Sequence, residues 1–309
     1  MRRRTALTLA IIALAGVVLV RYRPGRHRSA LPKPVTGLFA NGMAYARLGD
    51  GPRTLLVMPG GPGNDAPSGP MMRMFLPQFR PYVEAGYSVW YVTRKRGMPK
   101  GHSIADIAAD YAELIGAEFG GRVDLVVGIS YGGMVGFYLA ANHPDRVGHI
   151  AIVVAGYAVS ERGKAIDLGF ARALSEGRPG DAMATMLQEL TPGWFGRRSA
   201  RPIGAILGPL AFRRPHPAFA SDVLVEAEAE VACDAREVLP RIDLPVLLVC
   251  GDEDVYFPAA IIAETARLIP DCTLELYPGR GHMRAASDGR VARNVLDFVG
   301  RSGSAGPVE

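Results

Sequence analysis

Cysteine is scarce in this chain of 309 residues. The three cysteines, Cys233, Cys250 and Cys272, are odd in number and match no metal-binding spacing, so the sequence indicates neither a disulfide framework nor a metal site. Cys250 ends an apolar strand pattern and is predicted to be a small core residue. A phosphate-binding glycine loop is also absent, and we therefore expect no cofactor.

Acidic residues are absent from the first 28 positions, which contain seven arginines. The whole chain has a formal net charge of +5 at pH 7 and a pI of about 9.2, values that are common among nucleic-acid-binding proteins. Without those seven arginines, 28 basic residues face 30 acidic ones, which is a net charge of −2. The basicity belongs to the N-terminus, so the rest of the chain offers no electrostatic reason to expect nucleic-acid binding.

The same N-terminal stretch lacks any charge between Thr5 and Val20, a run of 16 residues flanked by arginines. As a helix this run would span about 24 Å, and snorkelling arginines extend it toward the roughly 30 Å of a bilayer core. A cleaved secretory signal is the alternative, because residues 13–15 have a small-x-small form. We expect residues 1–35 to be an uncleaved membrane anchor and its proline-containing tether, with the side of the membrane left open.

One motif organises the remaining sequence. Residues 123–127 form an apolar run that predicts a buried strand, and residues 134–142 predict a helix. Gly128, Ser130 and Gly132 lie in the turn between them. A small-x-Ser-x-small turn in this context is typical of a nucleophile elbow, which exposes the serine hydroxyl on a tight turn. The alternative is a structural turn with a bystander serine.

Strands and helices alternate along most of the chain, which predicts an α/β fold with a mostly parallel central sheet flanked by helices. The alternation stops in the middle of the chain, where helical stretches and Pro/Gly-rich segments predict an inserted helical cap. The predicted organisation is an α/β core over residues 36–156 and 235–300, a cap over residues 157–234, and a flexible tail over residues 301–309.

Three loops after predicted strands carry residues suited to chemistry at one sheet edge. Pro59 to Gly63 is a Gly/Pro loop, Asp254 lies in the loop after residue 250, and His282 follows the last predicted strand. The chain order Ser130, Asp254, His282 is that of the α/β-hydrolases. Over roughly residues 36–300 the chain therefore resembles an α/β-hydrolase fold protein. Its first loop resembles the His-Gly-Gly-Pro-Gly oxyanion loop of the proline iminopeptidase branch, with Pro59 in place of the histidine.

The resemblance implies a serine hydrolase that cleaves an ester or amide bond through an acyl-enzyme. Ser130 is the implied nucleophile, His282 the base and Asp254 the orienting acid, whereas Asp252 is expected to cap its own turn. The backbone N–H groups of Tyr131 and Gly61 are the implied oxyanion hole; Pro62 has no N–H to donate.

A membrane-tethered esterase or lipase-like enzyme acting on a small or medium acyl substrate is the leading hypothesis. An aminopeptidase is the enzymatic alternative and would need a cap carboxylate to hold an amine, for which Glu226, Glu228 and Glu230 are candidates. A non-catalytic interaction protein is the second alternative. Five apolar residues are predicted to line either a substrate pocket or the cap core: Met183, Met186, Trp194, Phe195 and Phe212. The basic turn Arg94 to Gly97 is predicted to be exposed to solvent, with a position near the active face as the alternative.

Overall fold

The computed structural model describes residues 31–66, 76–190, 194–212 and 215–302. Within these residues the strands are β1 (Val35–Leu38), β2 (Met43–Leu48), β3 (Arg53–Met58), β4 (Tyr87–Lys95), β5 (Val123–Ile129), β6 (Val147–Val153), β7 (Val246–Gly251) and β8 (Cys272–Tyr277). They pair into one sheet in the order β1-β2-β4-β3-β5-β6-β7-β8. β2 is antiparallel to both of its neighbours, and the pairs from β4 to β8 are all parallel. The predicted mostly parallel sheet is confirmed.

The helices of the described residues flank this sheet or lie between β6 and β7. They are α1 (Arg80–Glu84), α2 (Ile104–Glu118), α3 (Tyr131–Asn142), α4 (Glu161–Ser175), α5 (Pro179–Leu190), α6 (Trp194–Ala211), α7 (Phe219–Ala232), α8 (Ala259–Leu268), α9 (His282–Ala286) and α10 (Val291–Ser302).

Local sequence explains most of these elements. The start of α2 is an example: the Ser103 side chain accepts a hydrogen bond from the Asp106 N–H, and the Asp106 carboxylate accepts one from the Ser103 N–H. This reciprocal pair satisfies two N–H groups that an uncapped helix would leave without partners.

The core is centred on the parallel strands. All six residues of β7 are buried, as are Leu55 to Met58 in β3. Helices cover both faces of a parallel sheet, which is why these strands are continuously apolar rather than alternating. Cys250, in β7, is fully buried as expected. Burial of each large aliphatic side chain contributes roughly 1.5–3 kcal/mol, so these strands hold the loops at their carboxyl ends in place.

Four helices, α4 to α7, occupy the segment between β6 and β7. The sequence predicted helical stretches in this segment but did not predict α6, which contains Pro202 and Pro209. Glycines allow α6 to pack closely against α5: a Cβ at Gly208 would lie 2.1 Å from the Pro179 carbonyl oxygen. Packing between the helices offsets the cost of the two prolines.

No helix in the described part of the chain is long and apolar enough to cross a membrane. The predicted anchor at Thr5 to Val20 lies outside the described residues, as does most of the predicted C-terminal tail.

Candidate active site

Ser130 lies on a strained turn between β5 and α3. Its φ is 53°, a left-handed conformation that a non-glycine residue adopts only when its surroundings impose it. The flanking glycines explain how strand and helix approach each other. A Cβ at Gly128 would lie 2.6 Å from the Gly132 carbonyl oxygen, and one at Gly132 would lie 2.1 Å from the Met58 carbonyl oxygen. Only glycine fits at these two positions, and the turn holds the Ser130 hydroxyl outside the helix.

His282 begins α9, just after β8, and lies next to this serine. Its Nε2 atom is 2.9 Å from Ser130 Oγ, and its Nδ1 atom is 2.7 Å from Asp254 Oδ2. The three residues come from the carboxyl ends of β5, β7 and β8, which lie at one edge of the sheet. The structure therefore brings together the serine, histidine and acid that the sequence singled out.

Asp254 and Asp252 make different contacts, although they are two residues apart. The Asp254 side chain is fully buried, and its Oδ1 atom accepts hydrogen bonds from the N–H groups of Tyr256 (2.8 Å) and Phe257 (3.2 Å). Its other oxygen is thereby directed at His282. Asp252 is exposed, and its Oδ1 atom accepts the N–H of Gly279 at 2.7 Å. This contact caps the turn after β8, whereas the sequence predicted that Asp252 would cap its own turn.

Two aromatic rings, which sequence reasoning missed, cover the histidine. The ring centroid of Tyr256 lies 4.8 Å from that of His282, and the Phe257 centroid lies 5.9 Å away in a stacked arrangement. Both belong to the loop after Asp254, so the segment that supplies the acid also shields the histidine–acid hydrogen bond from water. The adjacent aromatic residues Tyr256 and Phe257, two and three positions after Asp254, are the sequence feature that could have indicated this packing.

The Pro59–Asn64 loop passes beside Ser130. A Cβ at Gly60 would lie 3.4 Å from Ser130 Cβ, and one at Gly61 would lie 3.3 Å from Tyr131 Cγ. Tyr131 is the first residue of α3, where backbone N–H groups have no partner within the helix. Gly61 and Tyr131, the two predicted oxyanion-hole residues, are thus neighbours, and the residue before each of them lies at the serine position or beside it.

Arg94 is buried, which contradicts the expectation of a solvent-exposed basic turn. Its side chain is 1% exposed and forms a double hydrogen bond with Glu226 of α7, at 3.0 Å from Nε and 2.9 Å from Nη2. β4 extends through Lys95, so Arg94 is part of the strand and points beneath the Pro59–Asn64 loop. Burial alone would lower the pKa of Arg94, but attraction to Glu226 outweighs it and raises that pKa above its usual value.

The three cap carboxylates proposed for amine binding have different environments. Glu226 is fully buried against Arg94, and Glu228 is exposed. Glu230 is buried, and desolvation followed by the nearby charge of Asp167 raises its pKa well above the usual range. A protonated or already paired carboxyl group is a poor partner for an ammonium ion.

The apolar residues predicted in the cap are only partly brought together. Phe212 lines a cavity of about 180 Å³ with Leu174, Pro179 and Phe219. Met183 packs instead against Ala184, Leu187 and Ala200. The side chains of Trp194 and Phe195 lie outside the described part of the structure. In the described ranges, no group of three or more His, Cys, Asp or Glu side chains could hold a metal ion.

Comparison with known proteins identifies the family. A sequence model described as the alpha/beta hydrolase family matches residues 54–294, which is more than half of the chain. The protein belongs to the alpha/beta hydrolase family. This confirms the family resemblance that the sequence indicated, although no comparison tests the resemblance of the first loop to one branch.

The curated relatives of this alpha/beta hydrolase are hydrolases. A protein named as a carbamate hydrolase, RutD, from Variovorax paradoxus (strain S110) is 27% identical over 251 residues, covering 74% of this chain and 88% of the relative. A pimeloyl-[acyl-carrier protein] methyl ester esterase from Neisseria meningitidis (serogroup A, serotype 4A, strain Z2491) is 34% identical over 179 residues, covering 51% of this chain and 52% of that protein. These relatives support a hydrolase activity for this member of the family.

Solved structures support the fold of this alpha/beta hydrolase. The enol-lactonase from Burkholderia xenovorans LB400 matches with a TM-score of 0.61 and 20% identity, covering 84% of this chain and 96% of the enol-lactonase. An esterase from Exiguobacterium antarcticum also matches with a TM-score of 0.61, at 19% identity, covering 84% and 95% of the two chains.

Proposed function

We propose that this hydrolase is a serine hydrolase that cleaves an ester through an acyl-enzyme. The observation that carries the proposal is the continuous hydrogen-bonded series Ser130 Oγ, His282 Nε2, His282 Nδ1 and Asp254 Oδ2, with separations of 2.9 and 2.7 Å. This is the arrangement in which a histidine accepts the proton of a serine hydroxyl while a carboxylate fixes its tautomer.

The proposed reaction has two steps. Ser130 Oγ attacks the carbonyl carbon while His282 takes its proton, and the tetrahedral intermediate collapses as His282 returns that proton to the departing alcohol. Water, deprotonated by His282, then attacks the acyl-enzyme, and His282 returns that proton to Ser130 Oγ as the acyl–Oγ bond breaks and the acid leaves. Asp254 stabilises the protonated His282 in both steps. The N–H groups of Gly61 and Tyr131 are the proposed donors to the oxyanion.

The proposed substrate is an ester of a small or medium acyl group. The esterase name of the Neisseria relative supports an ester. Two of the carboxyl groups proposed to bind an amine argue against an aminopeptidase. The Glu226 charge is already paired with Arg94, and burial raises the pKa of Glu230. Attachment to a membrane through residues 5–20 is part of the proposal and rests on the sequence alone.

Labelling with a fluorophosphonate tests the nucleophile. We expect the wild-type protein to be labelled and Ser130→Ala to remain unlabelled, with a turnover of p-nitrophenyl esters about 10⁶-fold lower, or as low as the assay reaches. Ser287→Ala is the matched control, because Ser287 is exposed and its hydroxyl binds only a helix carbonyl in the described contacts. Labelling of Ser130→Ala at the wild-type rate would show that another residue is the nucleophile.

A substrate panel tests the bond that is cleaved. We expect hydrolysis of short and medium p-nitrophenyl esters and little hydrolysis of aminoacyl anilides. Faster turnover of the anilides would make the enzyme an aminopeptidase. Failure of both the labelling and the panel would favour the non-catalytic alternative.

A further inference from the structure

The Arg94 side chain binds the carbonyl groups of the Pro59–Asn64 loop, which runs beside the nucleophile. Its Nη1 atom donates to the carbonyl oxygens of Pro59 (3.0 Å) and Gly60 (3.2 Å), and its Nη2 atom donates to that of Gly63. Three carbonyl groups of one short loop are therefore directed at a single guanidinium. Such a contact needs the five N–H donors of arginine, because a lysine ammonium offers three donors at one point.

Glu226 completes this arrangement from the cap helix α7. Its carboxylate binds Arg94 through both oxygens, and its Oε2 atom also accepts the Gly63 N–H at 2.5 Å. Both side chains are buried, so each supplies the charge that makes burial of the other tolerable. The pair fixes Gly63 from both sides, since one partner binds its carbonyl and the other its N–H.

The planarity of the peptide bond connects these contacts to the oxyanion hole. In a trans peptide the C=O and the following N–H point in opposite directions. Because the Gly60 carbonyl points at Arg94, the Gly61 N–H points away from the guanidinium. Arg94 thus determines the direction of an N–H group that it does not touch.

Tyr131, the other proposed oxyanion donor, is adjacent to the same guanidinium. The Arg94 Cζ atom lies 5.0 Å from the centroid of the Tyr131 ring, within cation–π distance. A Cβ at Gly61 would lie 2.9 Å from Arg94 Nη2, so the loop is packed directly on the arginine. One buried cation therefore contacts the residues that carry both donors.

We propose that Arg94, paired with Glu226, is the positioning residue of the oxyanion hole and links its geometry to helix α7 of the cap. The inference rests on the proposed function, because it assigns Arg94 a role in a hole that only an acyl-transfer enzyme needs. Arg94 acts through the loop and does not touch the substrate.

The double variant Arg94→Met with Glu226→Leu tests this role, since it removes both charges together and leaves neither buried alone. We expect a folded protein in which kcat for an oxygen ester falls about 10- to 100-fold while KM changes less than about threefold. The loss is smaller than the roughly 10²–10³-fold cost of deleting an oxyanion donor, because the Gly61 N–H is still present but less well directed. The control is Arg96→Met with Asp65→Leu, a partly exposed 2.7 Å pair between the residue after β4 and the residue after the Pro59–Asn64 loop, which should keep the wild-type kcat.

A thionoester distinguishes positioning from general loosening of the fold. Sulfur accepts hydrogen bonds poorly, so the reaction of a thionoester depends little on the oxyanion hole. We expect the double variant to turn over the thionoester within about threefold of the wild-type rate while its oxygen-ester kcat falls. An equal loss on both substrates would mean that Arg94 has only a structural role.

Arg94→Lys is the second variant, because it keeps the charge but cannot reach all three carbonyl groups. We expect at least a tenfold loss of kcat on the oxygen ester with little change in KM. If the double variant does not fold, the kcat of Arg94→Lys on the oxygen ester alone decides whether Arg94 positions the oxyanion hole. A wild-type kcat in folded Arg94→Lys or in the folded double variant would overturn the inference. If the wild-type enzyme is labelled by fluorophosphonate and Ser130→Ala is not, that result leaves the proposed function intact.

Discussion

Replacement of Asp254 by asparagine is the most discriminating test of the proposed mechanism. The carboxylate has two oxygens with separate tasks: Oδ1 accepts the N–H groups of Tyr256 and Phe257, and Oδ2 faces His282 Nδ1 at 2.7 Å. In Asp254→Asn the amide oxygen takes the Oδ1 position, because only an oxygen can accept two N–H groups. The amide nitrogen must then face His282.

This orientation predicts the size of the effect. An amide N–H directed at Nδ1 selects the tautomer in which His282 Nε2 carries the proton, so the ring can no longer accept the proton of Ser130. We expect kcat to fall roughly 10³–10⁴-fold, as expected when a triad acid becomes an amide. The fold should persist, because both backbone hydrogen bonds remain and the side-chain volume hardly changes.

Asp252→Asn is the matched control two residues away. Its amide oxygen can still accept the Gly279 N–H, so we expect less than about a tenfold loss of kcat. The assay is steady-state hydrolysis of a p-nitrophenyl ester, with thermal unfolding of each variant measured in parallel. A severe loss in Asp252→Asn with near-normal turnover in Asp254→Asn would refute the assignment of the acid.

Three further predictions concern stability and location. Gly132→Ala should destabilise the protein by about 1–3 kcal/mol in urea unfolding, because the added Cβ would meet the Met58 carbonyl. The control is Gly169→Ala, which adds a Cβ in open space within α4 and should be neutral or stabilising by about 0.5–1 kcal/mol. Glu230 has a raised pKa in the folded state, so its contribution to stability is present below the unfolded pKa of about 4.5 and decreases as pH rises toward the folded value. Glu230→Gln should therefore lose less Tm than wild type between pH 4.5 and 8, and parallel Tm curves would contradict this. Deletion of residues 1–28 should leave an active enzyme of lower isoelectric point that no longer sediments with membranes; a deletion variant that still sediments would argue against the anchor.

Much of the fold could be predicted because its signals are local. The apolar run over residues 123–127 predicted a buried strand, and β5 covers that run as Val123–Ile129. The family and the mostly parallel sheet are confirmed. The catalytic roles of Ser130, Asp254 and His282 remain predictions, but their candidacy followed from chain order and from the position of each residue after a strand.

Other features depended on partners far away in the chain. The cap helix α6 could not be predicted, because it contains Pro202 and Pro209. Its stability comes from packing against α5 rather than from its own helix propensity. Likewise, the rings of Tyr256 and Phe257 were visible as residues, but their packing on His282 depends on how two loops meet at the sheet edge.

The sequence by itself determined the alternation of strands and helices in the core, the elbow around Ser130 and the glycines that this turn requires, because backbone sterics and hydrophobic periodicity act between near neighbours. Only the tertiary structure decided the location of Arg94. An arginine at a strand end is normally exposed, and its burial is tolerable only beside Glu226, 132 residues further along the chain. No sequence spacing encodes that pairing, because it arises when the cap helix folds back onto the loop beside the nucleophile.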